Sequence, residues 1–191
     1  MDFFMNKLNQ ELIIKKKQEA YSFFKNFNFS KTIELLNKVI QEDKSKDPAC
    51  YFLLGTSYIH KRDLDLAEKN LIISFNLDEN FYDTVHNLGI VFRLRGNISK
   101  AIKFFQKALK LDLKNLGTLN QLAECYEINK SFDEAKKIYL KVIEIDKKNK
   151  IAYKGLSRIC IKFGYHKQGL EYLQKSSGLL RFKENKYEII E

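Results

Sequence analysis

Side chains able to do chemistry are few and scattered in this chain. Three cysteines (Cys50, Cys125, Cys160) and three histidines (His60, His86, His166) stand apart from one another, none at the short spacings by which Cys and His share a zinc ion. An odd number of cysteines without close pairing argues against a disulfide framework. It fits buried thiols in a reducing compartment, so the expected location is cytoplasmic. Glu124 and Glu127 share a helix face by spacing, which suits paired carboxylates for acid–base work but equally an ordinary solvated face. The chain has no phosphate-cradling GxxxxGKS/T, no GxGxxG, no HExxH and no GxSxG. The expectation is a protein that is not an enzyme and holds no metal or cofactor.

What the sequence repeats is architecture. Leu54-Gly55, Leu88-Gly89, Leu122-Ala123 and Leu156-Ser157 recur every 34 residues. Tyr58, Phe92, Tyr126 and Cys160 keep the same period, as do Ala67, Ala101, Ala135 and Gly169, and then Leu77-Asp78, Leu111-Asp112 and Ile145-Asp146. A fixed period of this length means stacked supersecondary units. Apolar residues at helical spacing over 51–60 and 64–75, and again over 85–94 and 98–111, make each unit two amphipathic helices. Gly96 suits a residue that leaves the right-handed region at a helix end. Asp47 before Pro48, Asn97, and the capping box Ser131-Phe132-Asp133-Glu134 open helices. Small residues at 55, 89, 123 and 157 and at 67, 101, 135 and 169 let the two helices approach closely. Large rings at 58, 92 and 126 fill the space beside them. One hairpin cannot bury both its faces, so hairpins must stack.

At these residues the chain resembles the tetratricopeptide repeat family. Leu71, Phe105 and Tyr139 take the large position of the second helix, and Ser74, Ala108 and Val142 the last small one. The family's terminal proline is replaced by Glu79, Leu113 and Lys147. The resemblance implies an all-α, right-handed α-solenoid of about five helix-turn-helix repeats. Residues 1–12 form an N-terminal helical extension, 13–47 a degenerate first repeat with Ala20, Phe23, Phe29, Thr32 and Leu36 at family positions, and 48–81, 82–115 and 116–149 full repeats. Residues 150–183 form a degenerate fifth repeat and 184–191 a charged tail. Phe4, Leu8 and Leu12 fall on one helical face, expected to pack on the stack.

At 191 residues, 45% hydrophobic and 30% charged with one proline, the composition is that of a soluble helical protein. No apolar run reaches the length of a membrane span, and the N-terminus lacks the pattern of a secretory signal. The net charge of +10 invites acidic or nucleic-acid partners. Lysine outnumbers arginine, however, and the excess of Asn, Ile, Phe and Tyr suggests A/T-rich coding as its source. Lys100, Lys103, Lys107 and Lys110, then Lys136, Lys137 and Lys141, cluster on second helices, the outer face in the family's geometry.

The resemblance also implies a concave groove lined by first helices, where a protein or peptide segment would bind. Its positions map to Tyr21, Phe24, Phe52, Thr56, Ile59, His86, Ile90, Arg93, Asn120, Glu124, Glu127, Lys154, Arg158 and Lys162. The groove would begin aromatic, become acidic and end basic. Apolar anchors would supply affinity and the charged end direction. The family's carboxylate clamp for acidic chaperone tails is not expected, since only Asn87 fits it. The function implied is a scaffold or adaptor for protein partners. The alternative is an RNA-associated repeat protein using its basic outer face. An uncovered last repeat also offers a contact for a homodimer.

Overall fold

The computed structural model describes the backbone of residues 2–43, 46–177, 180–183 and 186–189, and side chains within 10–42 and 46–177. The chain forms two compact units, Met1–Gly96 and Asn97–Glu191. The first holds α1 (Asp2–Lys25), α2 (Phe29–Asp43), α3 (Pro48–His60), α4 (Leu64–Leu77) and α5 (Tyr82–Leu94). The second holds α6 (Ile98–Leu111), α7 (Leu116–Ile128), α8 (Phe132–Ile145), α9 (Lys150–Lys162) and α10 (His166–Ser177), followed by β1 (Leu180–Lys183) and β2 (Lys186–Ile189). Within each unit every helix packs on the next. In the first, α1 also touches α3 and α3 touches α5; in the second, α7 touches α9. This is an all-α helix-hairpin repeat fold.

Local sequence explains the helix ends. Asp47, Asn115 and Asn149 accept hydrogen bonds from the N–H of Ala49, Thr118 and Ala152 at the starts of α3, α7 and α9. Asp63 and Asn97 do the same for α4 and α6. The capping box at Ser131 does not form: the Ser131 hydroxyl accepts from Asn129 Nδ2 at 3.2 Å and caps no N–H of α8. Each hairpin turn contains one residue in the left-handed region: Phe27, Arg62, Gly96, Lys130 and Gly164. In four of these turns the next N–H reaches back five residues, as from Asn28 to Phe23 O (2.8 Å) and Ser131 to Tyr126 O (2.9 Å), which closes the first helix of the hairpin.

The periodic columns build the core. Leu71, Phe105 and Tyr139 are fully buried, as are Ala67, Ala101 and Ala135. A Cβ on Gly55 would stand 2.5 Å from Leu71 Cγ, and one on Gly169 would stand 2.6 Å from Ile161 Cγ1, so close helix approach does require the small column. The tightest glycine lies outside that column. A Cβ on Gly155 would sit 2.8 Å from Tyr139 Cδ2 and nearer still to Cε2 and Cζ.

Two expectations about the ends are amended. Residues 186–189, read as part of a charged tail, form a strand antiparallel to 180–183, with Leu180 opposite Ile189 and Phe182 opposite Tyr187. That alternation of apolar residues has the period of a strand. At the other end Leu12 is exposed, whereas the Phe4 and Leu8 side chains lie outside the described residues.

Candidate functional site

In the second unit, α7 and α9 run side by side and bring four of the expected groove residues to one open cleft of about 520 Å³. Its lining includes Glu124, Glu127, Phe132, Arg158, Ile159 and Lys162. Arg158 bridges the two helices, donating from Nε to Glu127 Oε1 (3.1 Å) and from Nη2 to Glu127 Oε2 (2.6 Å). Tyr139 Oη, rising from the core, donates to the same carboxylate at 2.6 Å. Both Glu127 oxygens are thus engaged by donors, and the Glu127–Arg158 pair clasps the two helices together. The hydrogen bond to Glu127 holds the Arg158 guanidinium further up its range, against the opposing effect of burial. Burial, and then the Glu127 carboxylate, push the Tyr139 phenol far above its usual range. Lys162 Nζ lies 4.8 Å from the centre of the Phe132 ring.

The acidic and basic stretches expected along the groove therefore meet here as an ion pair, with Glu124 and Lys162 at the same cleft. Lys154 is exposed on α9. Asn120 departs from its expected role as groove lining. It is 3% exposed, because its Nδ2 donates to the Asn149 cap of α9 at 3.3 Å, and its own Oδ1 is buried without a partner.

In the first unit, the expected aromatic start of the groove is largely committed to packing. Phe24 sits edge-on to Phe29 at 5.8 Å, and Phe52 leans on Phe81 at 5.3 Å. Tyr21 is half exposed beneath the Lys25 ammonium. Thr56 accepts from Asn87 Nδ2 at 2.7 Å, which also accounts for Asn87 without a clamp. Ile59 and Ile90 are half-buried. His86 stacks on Tyr82, and burial pushes its imidazole below the usual range against the opposing influence of Asp83. Arg93 on α5 carries a buried Nε with no hydrogen-bond partner.

The sequence reading missed a recurring contact. The first residue of a second helix is covered by the last residue of the next first helix: Phe29 stacks on His60 at 4.2 Å, and Phe132 lies beneath Lys162. The aromatic–aromatic and aromatic–cation pairs at residues 29/60 and 132/162 were the available signal. Among the described residues no group of three His, Cys, Asp or Glu side chains is placed to hold a metal ion, and no helix is long and apolar enough to cross a membrane.

Fold and site together define a helix-hairpin repeat protein whose polar groups converge on first helices. The family model of the tetratricopeptide repeat matches residues 93–160, and the chain is a tetratricopeptide-repeat protein over this stretch. It is 30% identical over 111 residues to BBSome complex member BBS4 of Bos taurus, a match covering 58% of this chain and 21% of that protein. The chain thus spans about a fifth of the length of that relative. Among solved structures, MamA (41-end) from Desulfovibrio magneticus RS-1 superimposes with a TM-score of 0.80 at 13% identity, over 87% of this chain and 94% of that one. Pseudomonas aeruginosa PilF gives 0.76 at 13% identity, over 89% and 77%. At these identities the two structures show the fold.

Proposed function

We propose that this chain is a non-enzymatic scaffold or adaptor that binds segments of partner proteins along its first helices. The observation that carries this reading is the placement of orphaned polar atoms. Among the described residues, the buried side-chain atoms without a hydrogen-bond partner are Arg93 Nε, Asn120 Oδ1 and Gln121 Oε1, all on first helices. An unsatisfied buried polar group costs about 1–3 kcal/mol, and the N–H and C=O groups of an extended segment would complement Arg93 and Gln121, both part-exposed side chains, once these turn outward. The printed name of the Bos taurus relative, a member of a complex, agrees with such a role. Three buried thiols suit a reducing, cytoplasmic setting.

The test is capture of partners from the native cell, followed by binding to Arg93→Met and Gln121→Leu. Each variant should fold at least as stably as the parent and bind the partner about tenfold more weakly, since about 1.4 kcal/mol is a factor of ten. Unchanged affinity in both would refute the reading. A basic alternative has its own observation: Lys147, Lys148, Lys150 and Lys175 surround a cleft of about 480 Å³ beside Tyr153. An RNA partner there would lose affinity steeply with salt and on nuclease treatment. Sedimentation at rising concentration decides whether the last repeat also takes a second copy of the chain.

A further inference from the structure

The fifth hairpin turn breaks the pattern of the other four. The residue before the left-handed position is Asn26, Lys61, Arg95 or Asn129 in the first four turns and Phe163 in the last. The residue after it is Asn28, Asp63, Asn97 or Ser131, and then Tyr165. Three of those polar residues cap the following helix: Asn28 accepts from Lys31 N–H, Asp63 from Leu66 and Asn97 from Lys100. Tyr165 has no side-chain group that can do this for α10. The exchange therefore removes a cap and leaves two rings in solvent, Phe163 at 54% and Tyr165 at 64% exposure. Stability alone does not account for it.

The two rings instead wall a cleft of about 410 Å³ at the turn edge of the second unit, with Phe132 and Ile159. Phe163 meets Phe132 edge-to-face at 5.4 Å, which holds that wall in place. The charge at this cleft is mostly of one sign: Lys130 and Lys136 line it, and Asp133 is the carboxylate among its lining residues.

We propose that this aromatic cleft is a docking site for an acidic protein segment, which seats one large apolar side chain between Phe132, Phe163 and Tyr165 and pairs its carboxylates with Lys130 and Lys136. The site lies at the turn edge and adjoins the cleft of the Glu127–Arg158 clasp, with which it shares Lys130, Phe132 and Ile159. The inference rests on the reading of the chain as a protein-binding scaffold, and extends it from the first-helix faces to the turn edge. The anchor supplies affinity through apolar burial, and the lysines select the flanking charge.

The probe is a phage-displayed library of random peptides selected on the full chain. Enriched sequences should carry one large apolar residue beside two or more Asp or Glu. They should lose at least about tenfold in affinity on Phe163→Asn/Tyr165→Asn, a pair that restores the polar turn and keeps the fold. The same peptides should bind Arg93→Met and Gln121→Leu unchanged, so failure at the turn edge is distinguishable from failure along the first helices. No enrichment, enrichment of basic or anchor-free sequences, or binding that survives the turn double variant would overturn the proposal. So would retention of a single-stranded oligonucleotide, rather than a peptide, by the same two rings.

Discussion

Replacing Gly155 by alanine sets two sizeable effects against each other. Helix propensity favours alanine by about 1 kcal/mol at an interior helical position. Against this, the new Cβ would stand within 2.8 Å of Tyr139 Cδ2 and closer to two further ring carbons, whereas carbon–carbon contacts are comfortable at about 3.5–4.0 Å. The ring must retreat by about 1 Å, and it has little freedom to do so. It is fully buried in the cluster that includes Leu119, Ala123, Ala135, Val142 and Leu156, and its hydroxyl is tied to Glu127 at 2.6 Å. Overpacking of this kind costs about 1–3 kcal/mol, and a weakened hydrogen bond to a charged group about 1.5–3 kcal/mol more. The net expectation is destabilisation by about 1.5–5 kcal/mol, worth at least about 6 °C in melting temperature for a unit of this size. Circular dichroism melts and urea titrations of the full chain measure it. In a Tyr139→Leu background the same substitution should be neutral or stabilising, because the clashing ring is gone. If Gly155→Ala raises the melting temperature of the parent chain, the interlock of α8 and α9 is not as tight as described.

Further substitutions probe other links. Gly96 has φ of +76° and nothing within 4 Å of an added Cβ, so Gly96→Ala should cost about 1 kcal/mol through backbone conformation alone, read from the urea midpoint. Ser74 and Thr84 share a buried 2.7 Å hydroxyl pair, with Ser74 Oγ also 2.8 Å from Pro48 O. Ser74→Ala should therefore lower stability by about 1–3 kcal/mol, while Ser74→Ala/Thr84→Val should recover part of the loss. Burial lowers the pKa of His86 in the fold, so the unfolded chain binds the proton more readily. Its contribution to stability is present above the ordinary histidine value of about 6.5 and is lost as pH falls from there through the lowered value in the fold. His86→Gln should flatten the difference in urea midpoint between neutral pH and about pH 5.5.

The helices were legible because stacking repeats one set of contacts, so Leu71, Phe105 and Tyr139, or Ala67, Ala101 and Ala135, announce themselves by period. The same logic hides whatever is particular to one repeat. Gly155 stands where Leu53, Asn87 and Gln121 stand elsewhere, and its reason is the bulk of a single tyrosine one helix away. Asn120 looked like groove lining until the Asn149 cap drew its amide inward. Glu127 and Arg158 were both placed on the groove from spacing, but their pairing depends on how α7 and α9 lie together. The terminal hairpin falls outside the 34-residue period, since its own period is two and it occurs once, beyond the last helix. Its alternation of Leu180, Phe182, Tyr187 and Ile189 was in plain view.

The three cysteines acquire a use from where they are buried. Cys50 lies in α3 of the first unit, and Cys125 and Cys160 lie in α7 and α9 of the second, all at most 3% exposed. A thiol this well covered reacts with a reagent only when its surroundings open, so its labelling rate is a clock for that opening. Single-cysteine versions of this chain would time the breathing of each unit separately. Slowing of one clock on addition of a partner would then locate the partner by the helices it holds shut.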